Sequence, residues 1–230
     1  MKKPEKLLRA MTPAMVEKYC SYQHDEFVRL GLSENISENA SMDKIAAEWL
    51  SSLISDRVIF EYYIEKGIIP DIGMGHSSGI VSVSACFGSV SHEFAHEIIM
   101  MNRATMRSLE KSGEKQDMGT IIGLSIDDVN ELIAENNFST DDVIVGSANS
   151  RICTMISGKE ETVEQLLLAA QEAGAIKVIP FRIGLAYHHP MIRKHSDEYV
   201  QFCGSGEYND PKYPVLSIFD QRIMTTGKDL

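Results

Sequence analysis

The sequence predicts an α/β protein built in two parts, and three observations carry that reading. Short apolar runs alternate with amphipathic stretches of helical period. From residue 118 onward the elements follow the order β-α-β-β-α-β. Hydrophobic residues make up 43% of the 230 positions against 24% charged, the balance of a chain that buries a core. The length allows one compact unit or two small ones.

The first 66 residues read mostly helical. Thr12-Pro13 opens a helix running towards Leu30, with proline at a first-turn position where its missing N–H costs nothing. After the polar stretch Ser33 to Ala40, a second helix carries Trp49, Leu53, Val58 and Tyr62 and stops at Gly67. Pro70-Asp71 turns the chain into a short strand, Ile72 to Met74. The pentapeptide Gly75 to Gly79 follows, then small residues to Ala85, and Ser91 caps an amphipathic helix to about Leu109. Lys111 to Asp117 is polar and marks a boundary.

Beyond it, Met118 to Leu124 reads as a strand, and Ser125 caps a helix with Asp128 as its capping-box partner. Val143 to Ala148 and Thr154 to Ser157 read as strands. A helix with Val163, Leu166, Leu167, Ala170 and Ala173 on one face stops at Gly174, and Ile176 to Ile183 is the last strand. This order is that of a ferredoxin-like unit. The expected division is a small ferredoxin-like domain, residues 118–185, inserted into a larger domain of residues 1–117 and 186–230.

Thirty-three acidic against twenty-two basic residues leave a net charge of −11, which excludes a general nucleic-acid binder. No run approaches the roughly 18 apolar residues of a membrane span. Met1 to Lys6 is basic without an apolar run behind it, so no signal peptide is expected. Cys20, Cys86, Cys153 and Cys203 form no C-x-x-C pair and are expected as buried small hydrophobes in a reducing cytoplasm. A cytoplasmic monomer is the expectation.

Gly75-His76-Ser77-Ser78-Gly79 fits G-x-S-x-G at a passage from strand to helix, the setting of the α/β-hydrolase elbow. A sharp turn exposes the middle serine, glycines avoid Cβ clashes, and the Ser78 backbone N–H is placed to stabilise an oxyanion. A serine hydroxyl also needs a base, and His188 in Ala186-Tyr187-His188-His189-Pro190-Met191 is the best candidate.

These segments resemble the malonyl-CoA:acyl-carrier-protein transacylase family and the acyltransferase domains of fatty-acid and polyketide synthases. Gly75 to Gly79 resembles the family's G-H-S-x-G elbow, and Asn149-Ser150 with Met155-Ile156-Ser157-Gly158 its N-S-…-I-S-G segment. Tyr187 to Met191 is similar to F-H-S-x-M, and Pro214-Val215-Leu216-Ser217 to the late strand P-V-x-S. The resemblance runs from about Gly67 to Asp220. It implies an α/β-hydrolase-like large domain with an inserted ferredoxin-like small domain.

It further implies ping-pong acyl transfer without a bound cofactor or metal. Ser77 would attack an acyl-CoA donor with His188 as base, and the phosphopantetheine thiol of an acyl carrier protein would take the acyl group. His76, Asn102, Arg103, Met106 and Asn149 would line the substrate. The net charge gives no reason to expect docking to an acidic carrier protein, so any basic docking face must be local.

The sequence also departs from that family. Counting from Ser77 and anchoring on Met106, the arginine that binds the malonyl carboxylate is replaced by Asn102. Arg103 lies about 100° further round the helix, and one residue of slippage would restore it. The family's opening strand and G-Q-G-x-Q loop are missing, and Gln23 sits in a helical context without glycines. Ile80 replaces the glutamate after the elbow, and Ile218 replaces an asparagine in the late strand. The chain is thus expected to be a fragment or to have an altered activity.

His92-Glu93-Phe94-Ala95-His96 is a literal H-E-x-x-H, which places two imidazoles on one helix face for zinc. A third ligand would have to be Glu110 or Glu114. Four readings therefore stand: acyltransfer to a carrier protein, hydrolysis or transfer of uncharged acyl groups by the same dyad, a non-catalytic carrier-binding relative, and a zinc hydrolase.

Overall fold

The computed structural model describes residues 8–31 and 41–230. The polar stretch Ser33 to Ala40 and the basic Met1 to Lys6 lie outside the described residues. The chain divides into two compact units, residues 1–103 with 199–230, and residues 104–198.

In the first unit, α1 (Pro13–Arg29) starts where the sequence places it, with Thr12 Oγ1 accepting the Met15 N–H at 3.4 Å. It packs on α2 (Ser41–Glu65) through Tyr19, Phe27, Leu50, Ile54 and Val58, all nearly fully buried. Each such side chain contributes roughly 1.5–3 kcal/mol on burial. Gln23 is tied into this helix pair, its amide donating to Tyr19 Oη at 3.0 Å and Ser51 Oγ at 3.2 Å.

The strand β1 (Gly73–Met74) leads into α3 (Gly79–Cys86), and α4 (His92–Ser112) is capped by Ser91, whose Oγ accepts the Phe94 N–H at 3.0 Å. The central strand β6 (Val215–Leu216) runs parallel to β1 and antiparallel to β7 (Ile223–Met224), giving the order β1-β6-β7. Val83, Phe87, Val215 and Met224 form the core beneath β1 and α3.

In the second unit the elements are β2 (Gln116–Ile122), α5 (Ile126–Glu135), β3 (Val143–Ser150), β4 (Cys153–Lys159), α6 (Glu160–Glu172) and β5 (Lys177–Pro180). The sheet is antiparallel throughout, in the order β3-β4-β2-β5. Val129 of α5 and Val163, Leu166, Leu167 and Ala170 of α6 pack on Ile121, Val143 and Ile156 of the strands. Both halves of the capping box form, Ser125 Oγ taking the Asp128 N–H at 3.1 Å and Asp128 Oδ2 the Ser125 N–H at 2.8 Å.

Two differences from the sequence reading stand out. The last strand stops at Pro180 because the Arg182 and Ile183 amides turn to the Asp117 carboxylate, each at 3.0 Å. Within the second unit, residues 104–117 hold residues 182–195. Gln116 and Asp117 anchor the incoming chain, and Ser108 Oγ lies 3.3 Å from His195 Nδ1. The cysteines are not buried as expected: Cys20 is exposed and the other three are half-buried, all with free thiols. No helix among the described residues is long and apolar enough to cross a membrane.

Candidate active site

Each unit supplies one of the two residues expected to do chemistry. In the first, Ser77 follows β1 directly and has φ +54°, in the left-handed region that residues other than glycine rarely enter. The turn is closed by the Gly79 N–H on the His76 carbonyl at 2.9 Å and the Ile80 N–H on the Ser77 carbonyl at 3.2 Å. The backbone packs so tightly that a β-carbon on Gly75 would meet Gly79 C and O at 2.3 Å. Ser78 and His76 are exposed, and Ser77 is half-buried.

Ser77 opens onto a cleft of about 270 Å³. Gly75, Ser77 and Ile80 line one side, and Ser217, Ile218 and Arg222 are among the residues lining the other. The cleft therefore lies beyond the carboxyl ends of the two parallel strands, where α/β sheets commonly place ligands. The turn that forms its second side is closed by the Ser217 N–H on the Arg222 carbonyl at 2.9 Å. Asn102 and Arg103 are not among the lining residues; the Asn102 amide donates to Ile99 O at 3.3 Å within its own helix.

In the second unit, His188 is half-buried and has φ +63°, so it too is held in a rare conformation. The chain reaches it under tight control. Asp117 takes the amides of residues 182 and 183, and buried Gln116 takes the Ala186 N–H on Oε1 at 3.2 Å. On the sheet side, a β-carbon on Gly146 would lie 3.3 Å from His188 Cβ, so glycine there gives the histidine its place.

The adjacent His189 has a different role. It is 3% exposed and its Nδ1 accepts the Met191 N–H at 3.1 Å, capping the short 3₁₀ helix Pro190–His195. Burial lowers its pKa. Met106 is buried in the second unit, while Asn149 is exposed and accepts from Ser147 Oγ at 3.0 Å. Gln116 and Asp117 are the positioning residues the sequence did not disclose, because they read there as the end of a polar loop.

The H-E-x-x-H segment is bound otherwise than a zinc site requires. His96, 1% exposed, has Nδ1 2.9 Å from Glu26 Oε2, and the same oxygen takes Arg29 Nε at 2.9 Å. Arg29 continues to Glu97 at 2.5 Å and to the Glu93 carbonyl at 3.1 Å. Glu114, one of the two third ligands considered, pairs with Lys194 at 2.6 Å and His195 at 3.3 Å. Among the described residues no group of three His, Cys, Asp or Glu could hold a metal. The motif fastens α4 to α1, which corrects the zinc reading.

No family model matches the chain. Among curated proteins, the malonyl CoA-acyl carrier protein transacylase of Staphylococcus aureus (strain MRSA252) is 27% identical over 154 residues, covering 66% of this chain and 49% of the relative. That of Bacillus subtilis (strain 168) is 24% identical over 178 residues, 77% of this chain and 56% of the relative. The chain is similar in sequence to the malonyl CoA-acyl carrier protein transacylases. It spans about half the length of the curated relatives it matches.

Solved structures agree on the α/β fold. The transacylase from Coxiella burnetii superposes with a TM-score of 0.76 at 22% identity, over 96% of this chain and 70% of that one. A type II polyketide synthase malonyl-transacylase in complex with its acyl-carrier protein gives 0.76 at 20%, over 96% and 72%. The acyltransferase domain from the second module of the salinomycin polyketide synthase gives 0.71 at 22%, over 96% and 51%.

Proposed function

We propose that this protein transfers an acyl group of malonyl type from coenzyme A to the phosphopantetheine thiol of an acyl carrier protein. Ser77 is the nucleophile, His188 the base, and the Ser78 backbone N–H an oxyanion donor. His188 takes the Ser77 proton as Oγ attacks the thioester carbonyl, then returns it to the departing coenzyme A sulfur. The carrier thiol next gives its proton to His188, its sulfur takes the acyl group, and Ser77 Oγ leaves reprotonated. His76, Asn102, Arg103, Met106 and Asn149 are assigned to substrate binding.

In this reading the first unit is α/β-hydrolase-like and the β-α-β-β-α-β run, residues 118–185, is a ferredoxin-like domain inserted into residues 1–117 and 186–230. The strand order β3-β4-β2-β5 supports it. The setting is the cytoplasm, in fatty-acid or polyketide synthesis. The observation that carries the proposal is Ser77 in a left-handed turn at the end of a parallel strand, lining a cleft.

The test is acyl transfer from radiolabelled malonyl-CoA to a phosphopantetheinylated carrier protein. Transfer above the rate of thioester hydrolysis is expected, and carrier-independent release of free acid would replace the proposal by a hydrolase. That second reading draws on the apolar Ile80 and Ile218 in the cleft, where the family it resembles has polar groups.

A further inference from the structure

The geometry points to Arg222 as the anion-binding residue of the Ser77 cleft, the group that holds the free carboxylate of a dicarboxylic acyl thioester. The assignment rests on Ser77 being the acyl acceptor and deepens it by naming what sets acyl preference. Arg222 is the one cation among the described residues that line this cleft. The helix position that would carry an arginine holds Asn102 instead, and its side chain bonds within its own helix.

Arg222 is held, but loosely. Its Nε lies 3.5 Å from Asp220 Oδ2 and its Nη1 3.5 Å from Asp229 Oδ1. Strong charge-assisted pairs are nearer 2.7–2.9 Å. Both aspartates have other partners. Asp229 Oδ2 takes the Thr225 N–H, the Thr226 N–H and Thr226 Oγ1 at 3.2, 3.0 and 2.8 Å, and Asp220 Oδ1 takes the Arg222 N–H at 3.3 Å. The carboxylates are thus fixed by a turn of backbone and orient the guanidinium without saturating it. A planar fork in that state can engage an incoming carboxylate through two parallel N–H bonds, which a lysine cannot reproduce.

The anion could also be a phosphate of coenzyme A, so the test uses donors with and without phosphate. Initial rates of Ser77 acylation are read by intact-protein mass spectrometry for malonyl-CoA, acetyl-CoA and the corresponding phosphate-free N-acetylcysteamine thioesters. Arg222→Met is expected to lower malonyl loading about 10- to 100-fold with both donor types, leaving acetyl loading within about threefold. Arg222→Lys falls between. Asp220→Asn, which removes a competing carboxylate, raises the malonyl-to-acetyl ratio.

Loss confined to the coenzyme A donors, or malonyl and acetyl rates that fall together or stay unchanged, overturns the assignment. Because acylation depends on the nucleophile, Ser77→Ala is titrated in parallel by calorimetry with the two phosphate-free thioesters. Weaker malonyl binding on adding Arg222→Met supports the assignment even if no adduct forms, and equal binding contradicts it. Absence of any adduct in the unaltered protein instead defeats the role of Ser77.

Discussion

A β-carbon on Gly75 would sit 2.3 Å from the carbonyl carbon of Gly79, yet one on Gly79 itself would meet nothing within 4 Å. The two glycines of the elbow are therefore unequal. Gly75→Ala is expected to cost about 3 kcal/mol and to distort the turn that holds Ser77. Gly79→Ala, at the first turn of a helix, should be neutral or stabilising by up to about 1 kcal/mol. Thermal melts of both variants check this, and equal losses would show the turn to be looser than described.

Asp117 acts at a distance from the chemistry. It accepts the part-buried backbone amides of Arg182 and Ile183, and through them directs the chain to His188. Asp117→Ala should destabilise by about 2–3 kcal/mol and reduce acylation about tenfold or more by misplacing the base. Asp117→Asn, which keeps an acceptor, should recover part of both. Urea denaturation and acylation rates distinguish this from a purely structural role, which would leave the rate of the folded fraction unchanged.

Acid sensitivity should arise in the first unit. Burial holds the His92 pKa at about 4, below its ordinary 6.5, and burial lowers that of His96 as well. Between those pH values the unfolded chain binds protons the folded one refuses, so stability present above about 6.5 is lost as pH falls towards 4. His92→Gln should flatten that part of the stability–pH curve. An unchanged slope from pH 7 to 4 in denaturant melts would contradict the assignment.

The Glu26 carboxylate joins α1 to α4 through His96 and Arg29. Glu26→Ala removes the carboxylate 2.9 Å from the buried His96 Nδ1 together with its Arg29 ion pair, and should cost about 2–3 kcal/mol. The corresponding measurement is a chemical melt, with acylation of Ser77 in the folded fraction largely retained.

Much of this was legible in the sequence because local signals and tertiary demands coincide. Thr12-Pro13, Ser91 and Ser125 with Asp128 each cap the helix they announce. The elbow was legible because its spacing reports a backbone constraint, borne by Gly75 and by Ser77 at φ +54°. What stayed hidden depends on distant partners. Gln116 and Asp117 gain their meaning only from amides some 65 to 70 positions away. Likewise nothing in the H-E-x-x-H spacing, which offers zinc only as a rival reading, shows that Glu26 lies beside His96. The hairpin that places Arg222 in the cleft is two residues deep on each side, too short for any periodic signal.

The most direct test of the account is intact-protein mass spectrometry after brief exposure to malonyl-, acetyl- and longer acyl-CoA, with Ser77→Ala beside the unaltered protein. The account predicts an increment equal to one acyl group, largest with malonyl-CoA and absent from the variant. An increment that persists in Ser77→Ala, or no increment with any donor, would contradict it.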